Sequence, residues 1–166
     1  MIQINRRRQK PVRTGDLLLI ALADKVAIGY NQATGEFGFL VKYRNGTGAA
    51  TVKGTVVSTS TSANNEFVPQ ANRYDAVGVV AVGGVENGSD CWLWRHGSVC
   101  QVLFENSVAA VRGYLAICSA TDGRATNIDV PAVSPVEAEH FMELGHVAES
   151  HAGGTDVLIL IHFHTL

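Results

Sequence analysis

Short apolar runs broken by glycine, asparagine and polar clusters make up most of the chain. Their length and their β-branched and aromatic content predict strands rather than helices. Leucine, isoleucine and alanine fill residues 17–23, and Asp24-Lys25 interrupts them before apolar character resumes over 26–30. Two strands around a turn are the better reading. The competing one is a helix over 16–30, with Leu17, Ile20, Ala21 and Asp24 on one face, where Asp24 spoils the apolar stripe. FGFLVKY is a strand by composition. Residues 51–59 alternate and are β-branched, which predicts one strand over that whole length. STSTSANNEF (58–67) reads as a polar loop.

Residues 76–82 are nearly all apolar and end at Gly83-Gly84. CWLWR and VCQVLFE flank His96-Gly97-Ser98, a hairpin pattern. Alternation puts Trp92 and Trp94 on one face of their strand, with Cys91, Leu93 and Arg95 on the other. Further strands are expected at 114–118, before the turn Thr121-Asp122-Gly123, and at 144–150 and 157–164. The one helix start is Ser134-Pro135-Val136-Glu137: Ser134 can cap, Pro135 suits the first helical position, and Glu137 can reach back to the Ser134 backbone. Many short strands at regular spacing predict a sandwich or barrel.

Residues 1–14 lack periodicity and include Pro11, so they read as an extended arm that orders on contact. Charge sharpens this picture. The net charge is −2. Arg6, Arg7, Arg8, Lys10 and Arg13 nevertheless put +5 on the first thirteen residues, leaving −7 on the rest. A basic arm on an acidic body admits three readings: phosphate contact, docking on an acidic protein surface, or a solvated tail. No aromatic residue lies within 2–13, which argues against stacking on single-stranded nucleic acid.

Only 17% of the residues are charged, below the usual quarter. Such a surface either hides area in an assembly or is solvated by Ser, Thr, Asn and Gln. No apolar stretch approaches the roughly 20 residues that span a bilayer. MIQINRRRQK is not a secretory signal, so a cytoplasmic product is expected. Cys91, Cys100 and Cys118 form no CxxC pair and read as packed, reduced thiols.

The chemistry-bearing residues form no recognisable motif. His162 and His164 project to one face of the last strand. As metal ligands they would need a third partner, and His140, His146 and His151 are the nearest in sequence. No GxSxG elbow, GxGxxG or phosphate loop is present. Glu137, Glu139 and Glu143 read as a solvated helix face. No catalytic residue, metal site or cofactor is therefore assigned.

The order of VKGTVVS, FVPQANRYDAVGVV, GGVENGSDCWLW, GSVCQVLFENSVAAVRGYLAIC, HFMELGHVAES and GGTDVLILIHFH resembles the capsid cement (head-decoration) proteins of tailed bacteriophages. The likeness covers residues 39–164, about three quarters of the chain. It implies a mainly β protein: a compact β-barrel or β-sandwich of β-tulip type, with one short helix and an extended N-terminal arm. The division is then an arm at 1–14 and one β domain at 15–166, in which 15–36 adds strands or contacts the shell. The implied function is structural. A homotrimer sits on the outer capsid surface of the virion and bridges major capsid protein subunits against the pressure of packaged DNA. It needs no catalysis or cofactor, and neither nucleic acid nor membrane is a partner. The arm residues Arg6, Arg7, Arg8, Lys10 and Arg13 are then the capsid-binding candidates. Two alternatives stand beside this: a trimeric fibre or tail-associated binding domain presenting Trp92 and Trp94, and a metal-dependent hydrolase using His162 and His164.

Overall fold

The computed structural model describes residues 11–71, 76–129 and 142–164. The expected helix at Ser134 lies outside these, as do Arg6, Arg7, Arg8, Lys10, Glu137, Glu139 and His140. The described residues are mainly β and contain no helix. Thirteen strands join in one sheet: β1 Val12–Thr14, β2 Leu17–Ala23, β3 Val26–Asn31, β4 Glu36–Asn45, β5 Val56–Thr59, β6 Glu66–Pro69, β7 Gly78–Val80, β8 Asp90–Trp94, β9 Ser98–Leu103, β10 Leu115–Cys118, β11 Ala125–Ile128, β12 Glu143–Val147 and β13 Leu158–Phe163. All pairings are antiparallel except the short β4–β6 contact.

Long β4 organises the sheet. Residues 36–41 pair with β3, and residues 40–44 pair with β8. The path β4–β6–β5–β7–β8 returns to β4, so these five strands form a closed circuit of hydrogen bonds. Val57, Phe67, Val80, Cys91 and Leu93 form one core, with Val41 and Tyr43 packed against it. The other faces of the same strands contribute Val56, Val79 and Trp94 to the main core, shared with Leu40, Val102, Phe104, Leu144, Ile159, Ile161 and Phe163. Strand β8 is thus buried on both faces. The expected alternation holds, with Trp94 and partly buried Trp92 on the main core and Cys91 and Leu93 on the smaller one.

The expected strands at 17–23 and 26–30 form β2 and β3 rather than a helix. Four segments differ from the sequence reading. Glu143, read as part of a solvated helix face, is instead a buried residue at the start of β12. The strand expected over 51–59 is confined to β5, because residue 51 is bonded elsewhere. The Thr51 hydroxyl donates to the Val82 carbonyl at 2.8 Å and accepts from the Val85 N–H at 3.0 Å, and the chain then turns at Lys53-Gly54. The polar loop is shorter than expected, since Ser58-Thr59 and Glu66-Phe67 at its ends pair in β5 and β6. Finally, β8 and β9 form no hairpin. The Arg95 N–H bonds the Phe39 carbonyl at 2.9 Å and the Gly97 N–H bonds the Phe163 carbonyl at 2.8 Å. The chain therefore turns a corner from β4 to β13 at Gly97, whose φ of +83° suits glycine.

Inside this frame Glu36 is 1% exposed yet fully engaged. Its carboxylate accepts from Lys53 Nζ at 2.6 Å, Thr34 Oγ1 at 2.7 Å, Asn31 Nδ2 at 3.4 Å and the Gln101 N–H at 3.2 Å. Lys53 also donates to Gln101 Oε1 at 2.9 Å. The network joins the β3–β4 hairpin, the Lys53 turn and β9.

All three cysteines are buried and free. Burial pushes the Cys91 thiol from 9.0 up to about 11, partly offset by its hydrogen bond with Thr51. Burial, then the nearby Glu36 charge, raises Cys100 well above the ordinary value. Between pH 9 and 11 the unfolded Cys91 thiol ionises while the folded one keeps its proton, so this contribution to stability is lost as pH rises through that window. Each unit is worth about 1.4 kcal/mol at most. The urea midpoint should fall from pH 8 to pH 10.5, and less steeply in Cys91→Ala. Equal slopes in the two proteins would contradict this.

Candidate functional site

In an antiparallel sheet with one wet face, outward positions are normally polar. Strands β2, β3 and β4 break this rule. Inward positions Leu17, Leu19, Ala27 and Leu40 join the main core. The outward positions are also apolar: Ile20, Leu22, Tyr30, Phe37 and Phe39 are exposed, and Leu18 and Ile28 are half-buried. Cross-strand register aligns them in two rows, Leu18–Tyr30–Phe37 and Ile20–Ile28–Phe39. Phe37 at 54% and Phe39 at 51% exposure contribute most to a continuous apolar surface, the kind that marks an interaction site. Turn chemistry explains the local arrangement: Asn31 accepts from the Ala33 N–H at 3.1 Å and closes the tight β3–β4 connection.

The arm enters at the edge of this face. Val12–Thr14 of the segment read as an arm form β1 on β2, with Arg13 opposite Leu18 at the end of the first row. The pairing follows from the extended, proline-preceded backbone meeting the open edge of β2. Arg13 is exposed. It is the one arm cation among the described residues.

A second group lies at the other end of the molecule's strand order, on β12 and β13. His146 Nδ1 is 2.8 Å from His164 Nε2, and His164 Nδ1 is 3.4 Å from Glu143 Oε1. Glu143 is buried, His146 exposed and His164 half-buried. In a regular strand Glu143 and His146 would face opposite ways. A bulge prevents this: Ala116 pairs with Gly145, and the next residue, Ile117, pairs with Glu143. Leu144 is the extra residue and the parity of β12 changes there. Leu144 and Val147 consequently share the main core, while Glu143 and His146 gather around His164.

The expected His162 and His164 pair does share the outward face, around buried Phe163. Its two members have different neighbours. His162 is opposite His146 in register, but the close cluster is Glu143, His146 and His164. Sequence reasoning missed Glu143 as a partner because it reads as part of a solvated helix face, whereas it starts β12; even on a strand its spacing from His146 needs a bulge, of which Gly145 was the available signal. His151 instead accepts from the Gly153 N–H at 3.1 Å. Trp92 and Trp94 do not form an exposed aromatic pair, because Trp94 is wholly buried and Lys42 lies over the Trp92 ring at 4.9 Å.

No protein-family model matches the chain, and no curated protein matches it.

Proposed function

We propose that this chain is a structural cement protein of a tailed-phage head. In this reading it is a homotrimer on the outer surface of the shell that bridges major capsid subunits. The closed circuit around β4 is read as a small β-tulip-like barrel.

The observation that supports the reading is the apolar outward face of β2–β4 with the basic arm rooted at its edge. An apolar patch supplies burial on docking. Arg13 lies beside it, and the positive charge of the segment at 1–13 would supply attraction to an acidic surface. The patch and Arg13 lie where one partner can cover them together, and a trimer would multiply their weak contacts. The fibre alternative is less well supported, since it needs Trp92 and Trp94 exposed as a pair.

The test uses shells assembled from the major capsid protein of the same virus. Removing residues 1–10, which leaves β1 intact, should lower co-sedimentation with shells at least tenfold. Phe37→Asp/Phe39→Asp should do the same while remaining a trimer, near three times 17.7 kDa by light scattering. Binding equal to the parent in both variants would overturn the reading. A monomeric double variant would assign the face to subunit contact instead of the shell.

A further inference from the structure

The β12 bulge brings together a ligand set that the spacing of its residues conceals. We infer that Glu143, His146 and His164 form a binding site for a divalent transition metal, with zinc as the natural occupant. One ligand atom from each residue lies within 4.8 Å of the others. Imidazole nitrogens and a carboxylate oxygen are the donors that borderline cations such as Zn²⁺ prefer, at about 2.0–2.2 Å each. A tetrahedral centre with such bonds spaces its ligands by roughly 3.3 Å, close to the 2.8 Å between His146 Nδ1 and His164 Nε2. Glu143 Oε1 now approaches the other His164 nitrogen, Nδ1, at 3.4 Å, so an ion bound through Nε2 requires the carboxylate to swing toward His146, within the 4.8 Å that separates the ligand atoms.

The backbone fixes the segment that carries His164. The His164 N–H bonds the Leu144 carbonyl at 2.9 Å, so the end of β13 is pinned beside the bulge. Glu143 is buried beneath the imidazoles, while His146 is exposed. An ion would sit at the surface with protein on one side and water completing its coordination. The three cysteines are buried, and none is a member of the cluster. His162, next to His146 in register, is not one of the three. This inference stands apart from shell binding and survives its failure.

The experiment is a zinc chloride titration of tag-free, full-length protein, with a zinc-chelating dye as competitor. One zinc per chain is expected. His146→Ala and His164→Ala should each weaken binding at least tenfold, Glu143→Gln somewhat less, and His162→Ala and His151→Ala less than threefold. Cobalt(II) should give weak visible bands without the intense near-ultraviolet band of a thiolate ligand. Both histidines are at least partly solvent-accessible, so their variants keep the test valid even if Glu143→Gln folds poorly. Absence of stoichiometric zinc, equal affinity in the His146 and His164 variants, or loss on His162→Ala with retention in His146→Ala would each overturn the assignment.

Discussion

Glu36→Ala should lower the free energy of unfolding by about 3 kcal/mol, the lower end of the range for breaking a buried ion pair. The carboxylate is 1% exposed and serves four donors from three parts of the chain. Its removal leaves the Gln101 N–H and Asn31 amide short of an acceptor in the interior, and a buried donor without a partner costs about 1–3 kcal/mol. The Lys53 side chain is 26% exposed and can turn to water, which keeps the total from the upper end. Glu36→Gln should cost roughly half as much, because its amide oxygen still accepts from Gln101 or Thr34. Urea unfolding of the three proteins measures this. An alanine variant within about 1 kcal/mol of the parent would show that the network does not hold β9 to the β3–β4 hairpin.

Gly145→Ala should be at least as damaging, at about 3 kcal/mol or more. A Cβ on Gly145 would lie 1.8 Å from the His162 carbonyl oxygen, which is backbone and cannot step aside alone. The φ of +138° is also a conformation that L side chains rarely adopt. Relief requires β12 to move away from β13 or the bulge to close. Strand β12 lies between β10 and β13, so the disturbance reaches both. Closing the bulge would return Glu143 and His146 to opposite faces, so zinc binding should fall together with the urea midpoint. A variant as stable as the parent would contradict the bulge geometry.

Much of the strand content was legible in the alternation of side chains. Leu17 to Asn31 reads as two strands because Asp24-Lys25 breaks the apolar run where β2 turns into β3. The alternation of CWLWR was legible, but that both of its faces are buried was decided by packing. Strand partners were not. His96-Gly97 has the composition of a hairpin turn, yet β8 pairs with β4 and β9 mainly with β13. A glycine permits a reversal or a corner equally well, and only the hydrogen bonds from Arg95 and Gly97 to distant carbonyls select between them.

By itself, then, the sequence determined that this protein is mainly β, where most strands lie, that its thiols are packed, and that a basic stretch, the first thirteen residues, precedes an acidic remainder. These are local properties, set by side-chain period, turn chemistry and charge count. Tertiary structure decided which strands meet, that the outward side of β2–β4 is apolar beside the arm's root, and that Glu143 joins His146 and His164. Each depends on register between segments far apart in the chain, and one extra residue in β12 is enough to reverse which face a side chain occupies.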